Sequence, residues 1–242
     1  MSNRIDREIE HGRVLSAGDT ERMWGWGTPA GRVRAVRRAS IIAAGARLGP
    51  GVHALEIGCG TGVFTQILAQ SGAQLTAIDV SAELLAKARA RLGPGTKVEF
   101  LEKPLEAFDG DGVFDAIIGS SILHHLELAA AWPRIRDLLG PHGRVSFAEP
   151  NMLNPQVFAE RRFRRFFSYV SPDETAFVRW RLKSDLVHAG FEEVKITPFD
   201  WLHPAVPAMA VAAISRMGGL VERLPLVREF SGSLHIVASR RG

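Results

Sequence analysis

The sequence predicts an α/β protein in which a largely parallel sheet is flanked by helices. From residue 52 onward, short apolar runs alternate with segments of helical spacing, and this alternation is typical of βαβ units. Glycine, proline and helix-capping residues stand between the segments. The 242 residues are 46% apolar and 23% charged, a composition that predicts one globular domain, residues 1–242, and excludes disordered, collagen-like and coiled-coil chains.

Residues 1–48 are predicted to form a helical N-terminal cap. Apolar side chains between Ala30 and Leu48 recur with the spacing of one helix face, and Gly49-Pro50-Gly51 supplies residues that end a helix. Within the cap, Met23-Trp24-Gly25-Trp26-Gly27 is a candidate to close over a bound ligand, with packing in an ordinary helical unit as the alternative.

Residues 50–149 form the candidate binding core, in which five predicted strands alternate with three predicted helices. Ser81 can cap the second helix, Gly93-Pro94-Gly95 ends it, and Gly140-Pro141-His142-Gly143 separates the third helix from the fifth strand. The predicted strands are residues 52–57, 74–79, 97–101, 113–119 and 143–149, and the predicted helices are residues 63–71, 82–92 and 126–139.

Two insertions, residues 150–180 and 200–230, are expected on the substrate side of this core. Ser171-Pro172-Asp173-Glu174 has the residue types that begin a helix. The second insertion is apolar and too long for an ordinary loop, so we expect a helical and functional segment. The remaining predicted elements are a helix at residues 182–189 and strands at residues 191–199 and 233–240.

Charge and cysteine content narrow the possible functions. The net charge is only +4, although 25 of the 30 basic residues are Arg, so nucleic-acid binding over a whole surface is not expected. Cys59 is the one cysteine, which excludes an intrachain disulfide and a Cys-x-x-Cys zinc site. We expect a cytoplasmic protein without a bound metal or a transmembrane segment, because the longest apolar run, residues 205–214, is too short to cross a bilayer.

The strongest local motif is Glu56-Ile57-Gly58-Cys59-Gly60-Thr61-Gly62, between the first predicted strand and the first predicted helix. Glycines two residues apart allow a sharp turn and the close approach of a ligand to the backbone, although a tight turn without a ligand is the alternative. A dinucleotide-binding loop would have its third glycine at position 63, which is Val63. Glu56 would repel a pyrophosphate but not a cationic sulfonium ligand.

These residues resemble motif I of the class I S-adenosylmethionine (SAM) dependent methyltransferases. The resemblance extends to Asp79, at the end of the second predicted strand, and to Phe114-Asp115-Ala116-Ile117-Ile118 as the fourth strand. It implies a Rossmann-like, seven-stranded, mostly parallel sheet with helices on both faces and an antiparallel last strand, and SAM as cofactor with Asp79 on both ribose hydroxyls. The cofactor-binding residues that it implies are Glu56, Gly58, Cys59, Gly60, Thr61, Gly62, Asp79, Val80, Leu105 and Ser120.

One segment departs from this resemblance. The family usually has an Asp after the third strand, where it contacts the adenine amino group, but this chain has Phe100-Leu101-Glu102-Lys103-Pro104-Leu105. We therefore expect adenine recognition by Glu102 or by the backbone around Leu105.

Two polar residues near the expected crevice are candidates for catalysis. In the His124-His125 pair after the fourth strand, either ring can act as a general base toward a hydroxyl, and position favours His124. The alternative is that the pair only begins the next helix. Glu149, at the end of the fifth strand, can orient a substrate amine or hydroxyl, or can simply hold a loop.

Two further segments concern the acceptor. Arg161-Arg162-Phe163-Arg164-Arg165-Phe166-Phe167 predicts an amphipathic helical lid, with contact to an anionic substrate, a membrane surface or RNA as alternatives. Trp201-Leu202-His203-Pro204 and the Ala-rich residues after it can form an apolar pocket for a lipid-like or aromatic acceptor, or a helical unit with a buried face.

The leading hypothesis is a SAM-dependent methyltransferase that acts on a small-molecule or lipid-linked acceptor through an O, N or C nucleophile. RNA or protein methylation is the alternative, although Gly119-Ser120-Ser121-Ile122 lacks the Asn/Asp-Pro-Pro-aromatic motif of enzymes that methylate base amino groups. A catalytically silent SAM-binding module and, more distantly, a nicotinamide-dependent oxidoreductase are the remaining alternatives. We expect a monomer or homodimer, for which peripheral membrane contact is compatible with the sequence.

Overall fold

A mixed sheet with helices on both faces organises residues 2–109, 111–163 and 176–242, which the computed structural model describes. The strands are β1 (His53–Ile57), β2 (Gln74–Asp79), β3 (Val98–Glu102), β4 (Phe114–Ser120), β5 (Leu139–Pro150), β6 (Phe191–Phe199) and β7 (Ser233–Arg240). The α-helices in these residues are α1 (Ser2–Ser16), α2 (Thr20–Met23), α3 (Pro29–Ala46), α4 (Val63–Leu68), α5 (Ala82–Leu92), α6 (Leu128–Leu138), α7 (Pro155–Arg162), α8 (Arg179–His188) and α9 (Ala208–Val221).

The strand order is β3-β2-β1-β4-β5-β7-β6, and β1 pairs in parallel with both β2 and β4. β7 lies antiparallel between β5 and β6. The predicted fold class is therefore confirmed, including the antiparallel last strand. Because successive strands run outward from β1 to β3 and then restart at β4 on the other side of β1, the crevice at the carboxyl ends of β1 and β4 is where sheets of this kind bind ligands.

Both faces of the sheet are covered, so its central strands are buried on both sides. Ile117 and Ile118 are neighbours in β4, and their side chains point to opposite faces. Ile117 belongs to a cluster with residues of α6 and α8, whereas Ile118 packs with residues of α3 and α4.

Capping residues explain why several predicted helix bounds are close to the observed ones. The Ser81 hydroxyl accepts a hydrogen bond from Leu84 N at 3.3 Å, and α5 spans the predicted residues 82–92. At α3, the Thr28 hydroxyl accepts a hydrogen bond from Gly31 N at 3.0 Å, and Pro29 occupies the first helical position. This helix agrees with the helical spacing predicted for residues 30–48.

The predicted separation of α6 from β5 is wrong. β5 begins at Leu139, directly after α6, so residues 140–143 belong to the strand. Leu139 pairs with Phe114, and the register shifts before Arg144 pairs with Ala116, which makes this stretch an irregular start of the strand. The positive φ of His142, 59°, accompanies the irregularity.

The second half of the first insertion lies partly outside the described residues. This applies to the predicted helix start at Ser171-Pro172-Asp173-Glu174 and to the Arg164-Arg165-Phe166-Phe167 part of the arginine cluster. Before that point α7 ends at Arg162, with Phe163 as its C-cap. After it, α8 begins three residues earlier than the helix predicted at residues 182–189.

The expectation of a helical segment in residues 200–230 is confirmed by α9 and by a 3₁₀ turn at Val227–Phe230. Leu202 and Val211 pack with Ala30 of α3 in a small apolar cluster. Among the helices that the structure describes, none combines the length and the apolar composition needed to cross a bilayer.

Candidate active site

The glycine loop, residues 58–62, turns the chain from the end of β1 into α4. Gly58, Gly60 and Gly62 have φ values of 66°, 53° and 76°, in the left-handed region that favours glycine. A Cβ atom at Gly58 would lie 2.4 Å from Cδ1 of Ile122, so the post-β4 segment packs directly on the bare backbone. The loop therefore requires glycine for its conformation and for its packing.

Asp79 ties this loop to the end of β2. Its carboxylate accepts hydrogen bonds from Gly60 N at 2.8 Å and from Ser81 N at 3.0 Å. Burial raises the pKa of Asp79, and these backbone donors oppose that effect. The carboxylate thus lies at the end of β2, as the sequence predicted, and contacts the glycine loop that follows β1.

A cavity of about 340 Å³ lies over the carboxyl ends of the central strands, and this volume is within the range of small-molecule sites. The described part of its wall does not include Glu56, Gly62 or Glu149. The predicted residues that line it are Gly58, Cys59, Gly60, Thr61, Asp79, Val80, Leu105, Ser120 and His124.

Glu56 lies behind the glycine loop rather than in the cavity wall. The residue is 2% exposed, and burial raises the pKa of its carboxyl to about 7. Any influence of Glu56 on a cation in the cavity is therefore electrostatic and acts across the loop. Gly62 also lies behind the wall, where a Cβ atom would come within 3.0 Å of Ala88, so it permits the close packing of α4 and α5.

Cys59 lines the cavity but is not activated as a nucleophile. Burial raises the pKa of its thiol well above the ordinary value, with Glu56 and Asp79 acting in the same direction. Because the reactive form of cysteine is the thiolate, Cys59 acts as a small packing residue of the loop.

His124 and Glu149, predicted separately from the sequence, are hydrogen-bonded to each other. His124 Nδ1 lies 2.7 Å from Glu149 Oε2, while Glu149 Oε1 accepts hydrogen bonds from Ile122 N and Leu123 N, both at 2.9 Å. Burial acts to raise the pKa of Glu149, but His124 and the two backbone donors outweigh it and lower the pKa. An ionised carboxylate only accepts hydrogen bonds, so the contact requires a hydrogen on Nδ1. Glu149 thus fixes both the post-β4 turn and the His124 ring.

The candidates for adenine recognition are placed differently. Leu105 is buried in the cavity wall, whereas Glu102 is exposed and does not belong to the described wall. Of the two candidates only Leu105 lies at the cavity, and its part in adenine recognition stays a prediction. At the end of β4, Ser120 lines the cavity, and its buried hydroxyl has no hydrogen-bond partner among the described residues.

Residues 54–143 match a family model described as a methyltransferase domain. Nodulation protein S of Rhizobium tropici is 30% identical over 124 residues, which are 50% of this chain and 52% of that protein. The ubiquinone biosynthesis O-methyltransferase of Xanthomonas axonopodis pv. citri (strain 306) is 33% identical over 143 residues, which are 57% of this chain and 59% of that protein. The chain thus spans between half and three-fifths of the length of these relatives.

Solved structures share the fold over nearly the whole chain. The N-methyltransferase NodS of Bradyrhizobium japonicum WM9, in complex with S-adenosyl-L-homocysteine, superposes with a TM-score of 0.66 over 97% of this chain and 99% of its own, at 18% identity. Phosphoethanolamine N-methyltransferase 2 of Haemonchus contortus superposes with a TM-score of 0.67 over 94% of this chain and 58% of its own, at 15% identity.

Residues 54–143 thus match a methyltransferase domain, and the chain as a whole shares the fold of these solved methyltransferases. The core provides the glycine loop and Asp79, and four further wall residues come from α1, within the residues 1–48 that the sequence predicted as a helical cap but without marking which of them face the cavity. Glu8 Oε2 lies 3.1 Å from His125 Nδ1, and a Cβ atom at Gly12 would come within 2.9 Å of Ser81 Cβ. An amphipathic helix is common at any protein surface, so nothing in the residues of α1 marks it as a cavity wall. The α1 residues in the wall are Arg4, Ile5, Glu8 and Gly12.

Residues 24–28, between α2 and α3, lie against the glycine loop, and we call them the tryptophan loop. Trp24 and Trp26 both line the cavity. A Cβ atom at Gly60 would lie 3.4 Å from the Trp24 ring, and the Trp26 ring packs edge-on against Phe64 at 5.1 Å between centroids. Met23, Trp24 and Trp26 therefore lie at the cavity, and closure of residues 23–27 over a ligand stays a prediction.

Residues 200–230 pack beside the cavity instead of lining it. Among the described residues of its wall, none belongs to this segment. The segment is nevertheless bonded to the tryptophan loop, because Thr28 Oγ1 donates a hydrogen bond to the Pro204 carbonyl at 2.8 Å. Of the two expectations for this segment, a helical unit with a buried face is the one that fits. Within the part of the chain that the structure describes, no group of three or more His, Cys, Asp or Glu side chains is placed to hold a metal ion.

Proposed function

We propose that this protein transfers a methyl group from SAM to a small-molecule or lipid-linked acceptor. The observation that carries the proposal is a single cavity of about 340 Å³ that is lined by the glycine loop, Asp79 and His124. The first two belong to the motif that the superfamily uses for its cofactor, and His124 is a titratable base in the same space. An acceptor beside His124 would therefore lie next to the methyl donor.

The cavity residues fit SAM in shape and chemistry. The bare backbone at Gly58 and Gly60 allows close approach of a ligand, and Asp79 offers a half-buried carboxylate at the strand end for the ribose hydroxyls. The unpartnered Ser120 hydroxyl offers a further polar contact, and the backbone around Leu105 lies where we assign the adenine. The ionised form of Glu56, which predominates above the raised pKa of about 7, favours a cationic ligand over a pyrophosphate across the loop.

When bound, SAM supplies an electrophilic methyl group on a sulfonium. The chain's own contribution is to hold the acceptor in line with that group and to exclude water, and such alignment accounts for most of the acceleration of a displacement reaction. For a hydroxyl acceptor, His124 takes the proton at Nε2 while its Nδ1–H stays bonded to Glu149. The buried Glu149 carboxylate then stabilises the imidazolium that forms.

The cavity wall favours an acceptor with an apolar or aromatic body. Met23, Trp24, Trp26, Ile122 and Leu126 present hydrocarbon and ring surface to the cavity. The relatives are named for transfer to oxygen, in ubiquinone biosynthesis, and to nitrogen, in NodS. We therefore keep O, N and C nucleophiles as acceptor atoms. A cytoplasmic location and a monomeric or homodimeric state stay predictions.

Calorimetric titration tests the cofactor directly. Purified protein is titrated with SAM, with S-adenosylhomocysteine and with NADH, and we expect micromolar binding of the first two only. Asp79→Ala should abolish this binding, whereas Asp185→Ala, which changes an exposed Asp on α8, should leave it unchanged.

Two outcomes would contradict the proposal in different ways. Binding of NADH alone, or no binding of SAM, would remove the cofactor assignment. SAM binding without turnover of any hydroxyl, amine or carbon acceptor in a broad panel would favour the catalytically silent module.

A further inference from the structure

α9 and the residues that follow it expose large apolar side chains. Met209 is 94% exposed and Leu226 is 82% exposed, whereas Val211 on the opposite side of the helix is buried. Single exposed apolar residues are ordinary, but a contiguous group marks an interaction surface. We call this surface the α9 face, and it consists of Met209, Arg216, Met217, Leu220, Arg223, Leu224 and Leu226.

Helical spacing places the α9 residues of this face on one side of the helix, and Arg223, Leu224 and Leu226 follow its end. Met209, Arg216 and Leu220 are separated by seven and four residues, which is the period of one helix face. Gly218, on the buried side, packs against Trp201, where a Cβ atom would lie 3.0 Å from Trp201 Cβ. The helix is therefore docked on the protein by one side and presents the other side outward.

The charges around the α9 face are sorted by sign. The two acidic side chains of this region turn inward, because Glu222 pairs with Arg37 and Glu229 pairs with Arg179 at 2.6 Å. Arg216 and Arg223 are exposed, and no ion pair to either is found within the described residues. The outward surface thus combines apolar side chains with positive charge alone.

The combination of apolar side chains and positive charge distinguishes two possible partners of the α9 face, a second copy of the chain and a lipid surface. In a symmetric contact with a second copy of the chain, Arg216 and Arg223 of both copies would approach one another, and like charges in an interface are unfavourable. An anionic lipid surface accepts both features, since apolar side chains enter the acyl boundary and arginines remain at the head groups. We propose that the α9 face docks the protein on an anionic lipid bilayer.

The geometry also connects this surface to the cavity. Pro204 accepts the hydrogen bond from Thr28, and a Cβ atom at Gly25 would lie 2.8 Å from Pro204, so the tryptophan loop of the cavity packs on the segment that leads into α9. Docking would therefore link the bilayer, where a lipid-linked acceptor resides, to a loop that lines the cavity. This last step rests on the proposed methyl transfer, but bilayer binding does not.

Vesicle sedimentation tests the docking without any cofactor or acceptor. The full chain is mixed with vesicles of phosphatidylcholine, alone or with about 30 mol% phosphatidylglycerol, at low ionic strength. We expect binding to the anionic vesicles that is at least about tenfold tighter than to the neutral ones. The triple variant Met209→Gln, Leu220→Gln, Leu226→Gln should bind at least about tenfold more weakly than the unmodified chain.

Two comparison variants locate the contact. Val113→Gln changes an exposed apolar residue just before the amino end of β4 and should bind like the unmodified chain. Arg216→Gln with Arg223→Gln should weaken binding to anionic vesicles by about fivefold per arginine and leave neutral vesicles unaffected. All changed positions are exposed, and circular dichroism should give the same unfolding transition for each variant.

Three results would overturn the proposal. The first is that the unmodified chain does not bind anionic vesicles, and the second is that the triple variant binds them equally well. The third is a self-association in analytical ultracentrifugation that the triple variant loses while vesicle binding is absent, which would assign the α9 face to a second copy of the chain. None of these results bears on SAM binding, so failure here and failure of the methyltransferase proposal are distinguishable.

Discussion

The two sides of the cavity are built in different ways. On the cofactor side, the glycine loop and Asp79 lie within one βαβ unit. The positive φ angles of Gly58, Gly60 and Gly62 determine the course of the loop. The rest of the wall is assembled from α1, the tryptophan loop and the post-β4 turn, as in the 3.4 Å contact of Arg4 with the His124 carbonyl across 120 residues of sequence. Substitutions in the glycine loop should therefore cause large losses of SAM affinity, and substitutions in the rest of the wall should cause smaller, graded losses.

Gly58→Ala should have the largest effect, because the new Cβ would meet Ile122 and the residue would keep an unfavourable φ. We expect SAM affinity in calorimetry to fall by at least about a hundredfold, and the free energy of unfolding in urea to fall by about 2–4 kcal/mol. Gly51→Ala is the control, since Gly51 has a φ of 87° but a Cβ atom there would have no neighbouring atom within 4 Å. It should cost about 1 kcal/mol and leave SAM affinity unchanged. Equal SAM affinity of both variants would contradict the required close packing of the loop.

Glu149→Gln should test the post-β4 turn with the shape of the side chain preserved. The amide can donate to Nδ1 of His124, which would move the ring hydrogen to Nε2 and remove the base from the cavity side. With a hydroxyl acceptor we expect kcat to fall by about a hundredfold while the dissociation constant of SAM stays constant. His124→Asn should lower kcat to a similar degree, and unchanged turnover in both variants would leave the pair with a purely structural role.

Glu56→Gln tests how the buried carboxyl behind the glycine loop affects the pH dependence of stability. Burial raises the folded-state pKa of Glu56 to about 7, above its ordinary value, so the folded chain binds the proton more tightly than the unfolded chain does. Its contribution therefore favours folding at low pH and is lost as pH rises toward and through 7, by an amount on the order of 2 kcal/mol. Urea unfolding between pH 5 and about 8 should show a shallower decline for the variant than for the unmodified chain. Parallel pH profiles of the two proteins would refute this account of Glu56.

Glu8→Gln should give the smallest effect. The Glu8 and His125 side chains are 17% and 19% exposed, and Gln at position 8 preserves the shape of the side chain and an oxygen that accepts a hydrogen bond. We expect SAM affinity to fall by about two- to fivefold because α1 covers the cavity less tightly. Glu10→Gln, on the exposed side of the same helix, should leave affinity unchanged. A loss as large as that of Gly58→Ala would mean that the two sides of the cavity are equally intolerant of change.

The cofactor side was predictable because its information is local. The spacing of Gly58, Gly60 and Gly62, and the position of Asp79 at a strand end, follow from a few consecutive residues with particular φ requirements and polar chemistry. The seven strands were predictable for the same reason, since apolar runs and capping residues mark each one. The irregular start of β5 was not predictable, because pairing with Phe114 outweighs the turn tendency of Gly140 and Pro141.

The rest of the cavity wall depends on contacts between distant residues. The sequence proposed His124 and Glu149 as separate candidates, but only the fold brings Nδ1 and Oε2 together behind the cavity. It also placed Glu56 at the cofactor, whereas the strand directs that side chain into the interior behind the loop. The contributions of α1 arise from where the helix docks, which no residue pattern within it reveals.

The hydrogen bond from Thr28 to Pro204 connects the cavity wall with the segment that leads into α9. Ligand binding in the cavity and lipid binding at the α9 face can therefore be energetically coupled. If contact of α9 with lipid tightens the tryptophan loop over the cavity by some factor, a ligand in the cavity must tighten the contact with lipid by the same factor. Vesicle affinity measured with and without S-adenosylhomocysteine would then report this coupling free energy. A membrane surface would act in this way as an effector of a site that it does not touch.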